Sequence, residues 1–315
     1  MTCQRCQHTT VKKFGTYGKR KVQRYRCQNC SATFSETRPR VGNHLISVEK
    51  AEQIIALMLE GMSIRGISRV TGTDQNTIMS LLLTVGERCR RVFNVKVRGI
   101  KARYLELDEL WNFTFKKQKQ VCSGDPSEWG DTYTWFGLDA QSKMIVSYLV
   151  AKRDGPSALE FVTDLSKRVV GRVQITSDGF KPYIGAVEES FGCDADFAQL
   201  IKVFGKADNA GPDWYGPPKV IETVPTPVSG NPDLDHISTS FVERANLNVR
   251  MHLRRFTRLT NAFSKKLSHL KAAVDLYALW HNLCRVHQTL RATPAMQAGI
   301  TDHVWSIREM LGAGA

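Results

Sequence analysis

Ala102-Arg103-Tyr104-Leu105-Glu106-Leu107-Asp108-Glu109-Leu110-Trp111 opens the part of the chain whose pattern decides the fold. Residues 102–107 read as a strand that ends at the acidic pair Asp108-Glu109. Strand alternation sends these neighbours to opposite faces, so only one of the two serves a common site. Glu106 alternates with Leu105 and Leu107 and is expected to face solvent. Two more strands are expected at 133–138 and 144–150, separated by a turn at 139–143. Asp139, Asp154 and Asp164 read as turn, cap and surface residues. Pro156 opens a helix to about residue 168, with Leu159, Phe161, Val162 and Leu165 available for its buried side. Residues 173–176 form another strand, leading into Ser177-Asp178-Gly179, and 181–190 are helical. Three strands, a helix, a strand and further helices define an α/β sheet with an antiparallel beginning.

The chain has 315 residues, enough for two or three domains. Its formal net charge of +14 makes nucleic acid the first partner to consider. An anionic membrane surface is the second, but no amphipathic anchor lies beside a polybasic run. No apolar run approaches a membrane span, and the N-terminus lacks a signal peptide's apolar core, so a cytoplasmic, nucleoid-associated protein is expected. Four of the eight cysteines are patterned. Cys89, Cys122, Cys193 and Cys284 are scattered, as in a reducing compartment.

The patterned four are Cys3, Cys6, Cys27 and Cys30, two CxxC pairs flanking a short basic segment. Each pair offers two thiolates to one tetrahedral ion, so residues 1–40 read as a zinc ribbon holding a structural Zn2+. A disulfide pairing is the alternative. Lys12, Lys13, Lys19, Arg20, Lys21, Arg24 and Arg26 interleave with Phe14, Tyr17 and Tyr25, and Gly15 and Gly18 suit a hairpin. Arg24 is the phosphate contact expected there. From Ser35 to His44 the chain reads as a linker. Residues 45–95 then carry a helix with Ala51, Ile54, Ile55 and Met58 on one side and a short helix with Ile64, Ile67 and Val70. A break follows at Gly72, then a third helix with Ile78, Leu81 and Leu82. That order is the helix-turn-helix pattern, and Gln75, Asn76 and Thr77 at the start of the third helix suit base edges in a major groove. An ordinary helical bundle has the same periodicity.

Residues 237–259 run Ile-Ser-Thr-Ser-Phe-Val-Glu-Arg-Ala-Asn-Leu-Asn-Val-Arg-Met-His-Leu-Arg-Arg-Phe-Thr-Arg-Leu. Ser238, Thr239 and Ser240 offer N-caps, and Val242, Leu247, Met251 and Phe256 suggest an amphipathic helix. Glu243 is the lone acid, followed by Arg244, Arg250, Arg254, Arg255 and Arg258. The pattern suits a glutamate that holds a cation and arginines that hold phosphates, with Arg250 two turns after Glu243 on the same side. A surface helix with a basic stripe is the plainer reading. Phosphodiester chemistry needs hard divalent cations held by carboxylates, and Asp108, Asp178 and Glu243 could together supply them.

Three stretches carry a resemblance: Leu107-Asp108-Glu109-Leu110-Trp111, Thr176-Ser177-Asp178-Gly179 and Thr239-Ser240-Phe241-Val242-Glu243-Arg244. With residues 254–266 and 285–296, they resemble the acidic motifs of the insertion-sequence-one family of DDE transposases, in its single-frame form. The resemblance covers nearly the whole chain. It implies an RNase H-like catalytic domain over residues 100–300, preceded by the zinc ribbon and the helix-turn-helix module. It implies Asp108, Asp178 and Glu243 as ligands of Mg2+ (or Mn2+), and Arg250 as a basic residue touching DNA. The partners implied are double-stranded DNA, at element ends and target, and a second copy in a homodimer or higher oligomer. Trp280-His281 departs from relatives, which more often have a Tyr before the Asn.

Residues 205–236 are Pro-rich and too long for a connector, so an insertion is expected there. Its Trp214 and Tyr215 could stack on a base or pin the loop. His281, Cys284 and His287 recur every third residue, but with no fourth ligand in view a packed helix is the stronger reading. Residues 301–315 form a C-terminal tail. Two rivals stand beside the transposase: a DNA-binding regulator without catalysis, whose three acids would not converge, and a structure-specific nuclease on the same fold, which would cut without joining.

Overall fold

The computed structural model describes residues 2–3, 5–17, 22–35, 41–205, 219–257 and 260–312. It begins with a small antiparallel sheet of β1 (Val11–Tyr17), β2 (Val22–Cys27) and β3 (Thr33–Ser35), in that order. Among the described residues before Val41, only Cys3 and Cys27 are buried. Three strands with so little apolar burial do not hold themselves together.

Three helices follow: α1 (Val48–Leu59), α2 (Ile64–Thr71) and α3 (Gln75–Lys96). Each starts on a side-chain cap. Ser47 accepts from the Lys50 amide, Ser63 from the Gly66 amide, and Asp74 from the Asn76 and Thr77 amides. Gly72, between α2 and α3, has φ +65°, a left-handed conformation that glycine adopts without steric cost. The expected succession of helix, short helix, glycine turn and helix is present. α3 also joins this module to the rest of the protein. It runs on to pack along α7 (Leu267–Leu283), so closely that a Cβ on Gly86 would lie 2.7 Å from Ala272. The core is continuous from Val41 through the helices and the main sheet to Leu311.

The main sheet has six strands. In chain order they are β4 (Tyr104–Thr114), β5 (Gly130–Asp139), β6 (Ile145–Ala151), β7 (Val173–Ser177), β8 (Ala195–Gly205) and β9 (Lys219–Ser229). In space the order is β6-β5-β4-β7-β8-β9. β4, β5 and β6 pair antiparallel, β4-β7 and β7-β8 are parallel, and β8-β9 is antiparallel. The antiparallel start and parallel continuation match the expected α/β order.

α4 (Gly155–Ser166) and α5 (Pro182–Phe191) cover one face, where Trp135 of β5 meets Phe161 and Tyr183. Asp154 caps α4 through the Ser157 amide, as expected. α6 (Ser240–His252) meets the opposite face of β4.

One register detail shapes the site. β4 pairs with β7 from Tyr104↔Gln174 to Leu107↔Ser177 and no further, whereas its pairing with β5 continues to Thr114↔Gly130. Asp108 and Glu109 therefore stand just past the end of β7, where the sheet is open on one side.

The expected Pro-rich insertion is in part sheet. Residues 219–229 form β9, with Pro225 and Pro227 inside the strand. Proline lacks an N–H for the ladder, and β9 tolerates two because it is the last strand of the sheet order. Trp214 and Tyr215 lie outside the described residues. The expected tail also contains structure. After α8 (Pro294–Gln297), α9 (Ile307–Leu311) starts on a capping box of Ser306 and Glu309 and buries Met310 and Leu311. Arg308 ties it to Glu49 and Glu52 of α1. Among the described residues, no helix is long and apolar enough to cross a membrane.

Candidate metal centre

Asp108, Asp178 and Glu243 come from three elements and line one cleft of about 620 Å³, with Arg153, Phe180, Lys202 and Thr239 among its other walls. Asp108 lies on β4, Asp178 directly follows β7, and Glu243 sits in the first turn of α6. One carboxylate oxygen each from Asp108, Glu109 and Asp178 lie within 4.8 Å of one another. This corrects the expectation that only one of the neighbours Asp108 and Glu109 reaches the site. Alternation does point them to opposite faces. Because β7 has ended at Ser177, no neighbouring strand separates the two faces here, and both side chains reach the open edge beside Asp178.

Glu243 shares the cleft without belonging to that tight group. It accepts a hydrogen bond from the Thr239 hydroxyl at 2.6 Å and forms an ion pair with Lys202. Arg153 neutralises the other side: its Nε lies 2.8 Å from Glu109 and its Nη2 3.1 Å from Asp178. The guanidinium also lies over the Phe180 ring, 4.0 Å from the centroid.

The electrostatics follow from burial. The Asp108 carboxyl is pushed up to about 7, chiefly by burial, then by the charges of Glu109 and Asp178. Burial, followed by Asp178, also raises Glu109. One oxygen of Glu109, Oε1, is buried and makes no well-formed hydrogen bond among the described residues. Carboxylates crowded and desolvated in this way are stabilised by a divalent cation, and hard oxygen donors are the ligands Mg2+ and Mn2+ take. The donor set fits such an ion.

α6 is held by a residue expected in solvent. Glu106 is 3% exposed, and its Oε2 accepts from the Phe241 and Val242 amides at 2.8 and 2.9 Å. It thus caps α6 from β4: Thr239 makes no side-chain capping bond, and Ser238 accepts only from the Ser240 amide. Glu106 shares its strand face with Asp108, two residues on, and α6 covers that face. One turn past Glu243, Asn246 donates to Asp108 at 2.7 Å. The expected apolar side of α6 is also revised. Val242, Ala245, Asn246 and Val249 are buried, whereas Leu247 and Met251 are 46% and 61% exposed. Leu247 and Met251 follow Glu243 by four and eight residues, so they share its open side, as Arg250 does. Glu106, Arg153, Lys202 and Asn246 were not read as site residues. Of these, the parity of Glu106 with Asp108 and the i+3 spacing of Asn246 from Glu243 are visible in the sequence.

The four cysteines of the N-terminal sheet form a second ligand group, their sulfurs all within 4.8 Å of one another. Cys3–Cys30 and Cys6–Cys27 Sγ separations are 3.5 and 3.6 Å. Zn–S bonds of about 2.3 Å put tetrahedral sulfurs about 3.8 Å apart, so the group can bind zinc. His281 is not part of any such group among the described residues. It is buried, and its Nε2 lies 3.0 Å from the Lys143 carbonyl.

The residues expected on DNA are dispersed. Gln75 and Asn76 are exposed and Thr77 half-buried in the first turn of α3. Arg24 donates to Thr33 and faces the Phe14 ring. Arg254 is exposed. Arg255 is half-buried with its guanidinium on the Ser264 hydroxyl, and burial lowers it to about 10. Arg258 lies outside the described residues.

No protein-family model matches the chain, and no curated protein matches its sequence. Among solved structures, the cryo-EM structure of the piggyBac transposase synaptic complex with hairpin DNA is similar at 10% identity, covering 88% of this chain and 72% of that one, with a TM-score of 0.37. The Mos1 transposase paired-end complex with left transposon end is similar at 13% identity over 51% of this chain and 60% of that one, with a TM-score of 0.22. The Mos1 strand transfer complex gives 14% identity, 51% and 59% coverage and a TM-score of 0.22. These scores are too low to carry an argument. What the geometry defines is a mixed α/β protein with a carboxylate-lined cleft at the open edge of a six-stranded sheet.

Proposed function

We propose that the protein is a DNA transposase of the DDE type on an RNase H-like domain. It recognises the terminal inverted repeats of an insertion element, cleaves one strand at each end and joins the freed 3′-hydroxyl to target DNA. The observation that supports this reading best is the meeting of Asp108, Asp178 and Glu243 in one cleft beside Glu109. A regulator that merely sits on DNA has no use for acids converging on one cleft from three elements.

Asp108, Asp178 and Glu243 would hold Mg2+ (or Mn2+). Such ions, when bound, activate the attacking oxygen and stabilise the leaving oxygen of a phosphodiester. The chain's own residues do the rest. Asn246 orients Asp108, Glu106 anchors the helix that carries Glu243, and Arg153 and Lys202 hold the carboxylates until metal arrives. Arg250, Arg254, Arg255 and Arg258 would grip phosphates. Gln75, Asn76 and Thr77 would read base edges as a helix-turn-helix, and Arg24 would contact phosphate from a zinc ribbon. With two ends to synapse, a homodimer or higher oligomer on DNA follows.

A strand-transfer assay with cognate ends, target DNA and Mg2+ tests the reading. The wild-type chain should cut and join. Asp108→Ala, Asp178→Ala and Glu243→Ala should each lose joining by several orders of magnitude while still shifting end DNA in a gel. Cutting without joining would make it a nuclease, and unchanged joining in Asp108→Ala would overturn the assignment.

A further inference from the structure

We propose that Glu109 is a fourth carboxylate of the metal centre, sharing an ion with Asp178, and that Arg153 is the internal counter-ion it gives up on metal binding. The inference rests on the reading of the cleft as a divalent-metal site and adds a ligand to it.

Three independent features point to Glu109. Its carboxylate falls in the same 4.8 Å group as Asp108 and Asp178. Its side chain is 2% exposed, and Oε1 makes no well-formed hydrogen bond among the described residues; the buried Tyr183 hydroxyl is the one neutral donor that interacts with Glu109, and it too is left without a well-formed bond. A buried carboxylate oxygen left without a well-formed bond is costly, and a cation is what such an atom accepts. Finally, the ends of β4 and β7 give Glu109 its approach, since Leu107↔Ser177 is the last pair between them.

Arg153 fits the counter-ion role through its divided contacts. It reaches Oε2 of Glu109 with Nε and Oδ2 of Asp178 with Nη2, one oxygen on each acid. The other Asp178 oxygen, Oδ1, accepts from the Phe180 amide at 3.0 Å, which fixes the carboxylate's direction. One guanidinium thus spans the two acids that a metal ion would bridge, and it is 33% exposed, free to turn outward along Phe180.

Mn2+ binding to the full-length, zinc-loaded chain without DNA tests this, read by calorimetry and by loss of the free-ion paramagnetic resonance signal. Glu109→Gln and Glu109→Asp should each weaken Mn2+ on the order of tenfold or more, as should Asp108→Asn and Asp178→Asn. Arg153→Met should tighten it, because a competing cation is gone. Thermal melting of each variant checks the fold, and Glu109→Asp keeps the charge should the glutamine variant not fold. Wild-type Mn2+ affinity in both Glu109 variants, with loss in Asp108→Asn and Asp178→Asn, would overturn the role of Glu109 and leave the metal centre standing. Wild-type affinity in all of them would remove the centre itself. Weaker binding in Arg153→Met would make Arg153 a support for the ligands and end the counter-ion assignment.

Discussion

Asp108 is ionised at a cost in the metal-free protein. Its pKa stands at about 7, well above the ordinary aspartate range, first because it is buried and then because Glu109 and Asp178 repel its charge. The sign follows from proton linkage. Between about pH 4 and about pH 7 the unfolded chain has already released this proton while the folded chain keeps it, so stability falls as pH rises through that window. Asp108→Asn removes the penalty. In zinc-loaded protein without added magnesium, urea unfolding at pH 7.5 (about two units above the window's centre) should show the variant more stable by on the order of 1–3 kcal/mol. The advantage should shrink towards pH 4 and be offset by added Mn2+, which stabilises only the wild type. Equal stability at both pH values would mean that Asp108 is solvated as an ordinary surface acid. This residue also marks how far the sequence could be read. That Asp108 lies on this strand was legible from the alternation of Leu105 and Leu107, but the strand was expected to stop at Asp108-Glu109 and instead runs on to Thr114. That Glu109 joins it was not, because the reason is where β7 stops, a matter of register between strands far apart in the chain.

At the scale of the element, α6 shows how a helix is placed by something outside it. Ser238, Thr239 and Ser240 read as local caps, but the Phe241 and Val242 amides are satisfied by Glu106 across the sheet. A helix N-terminus attracts a carboxylate through its unpaired amides and its dipole, so Glu106 settles where α6 begins and hence where Glu243 points. Glu106→Ala leaves those amides buried without an acceptor and should destabilise the protein by about 2–4 kcal/mol in urea unfolding. Glu106→Gln keeps an acceptor and sheds a charge that burial raises to about 7, so it should cost far less. Similar losses in both would show that charge, rather than acceptance, holds the helix. The order of strands and helices was legible from periodicity, as was the glycine break at Gly72. The buried side of α6 was misread because Leu247 and Met251 are apolar yet open, while Asn246 and Asn248 are polar yet buried. Hydrophobicity marks the core-facing side only when no polar partner waits there, and Asp108 waits for Asn246. β9 went unread within the expected insertion: two prolines argue against a strand unless it lies at an edge, and edges are not visible in sequence.

Across the whole molecule, two parts are held by different forces. From Val41 to Leu311 one apolar core links α1, α3, the main sheet and α7. Further ties run between its ends: His252 of α6 to the Leu59 carbonyl at the end of α1, and Arg308 of α9 to Glu49 and Glu52. Helices that would read DNA are therefore fixed to the helix that carries Glu243, and they should unfold together with the sheet. Among the described residues the N-terminal sheet has no comparable core, with Phe14 46% and Tyr17 70% exposed. What it does have is four cysteine sulfurs, all within 4.8 Å of one another. In small domains of this kind the metal supplies most of the folding free energy. Removing zinc with a thiol-compatible chelator should thus abolish hydrogen-exchange protection in β1, β2 and β3, and leave protection in α1, α3, α7 and β4–β8 unchanged. The main thermal transition should move little, because the part that is lost contributes nothing to the core that melts. DNA affinity should fall and the salt dependence of binding become shallower, since Arg24, Arg26 and their neighbours would no longer be presented as one basic surface. If chelation instead lowered the main transition, the small sheet would be packed into the larger body strongly enough to share its stability. If protection in β1–β3 survived chelation, the cysteines would be holding the sheet without metal.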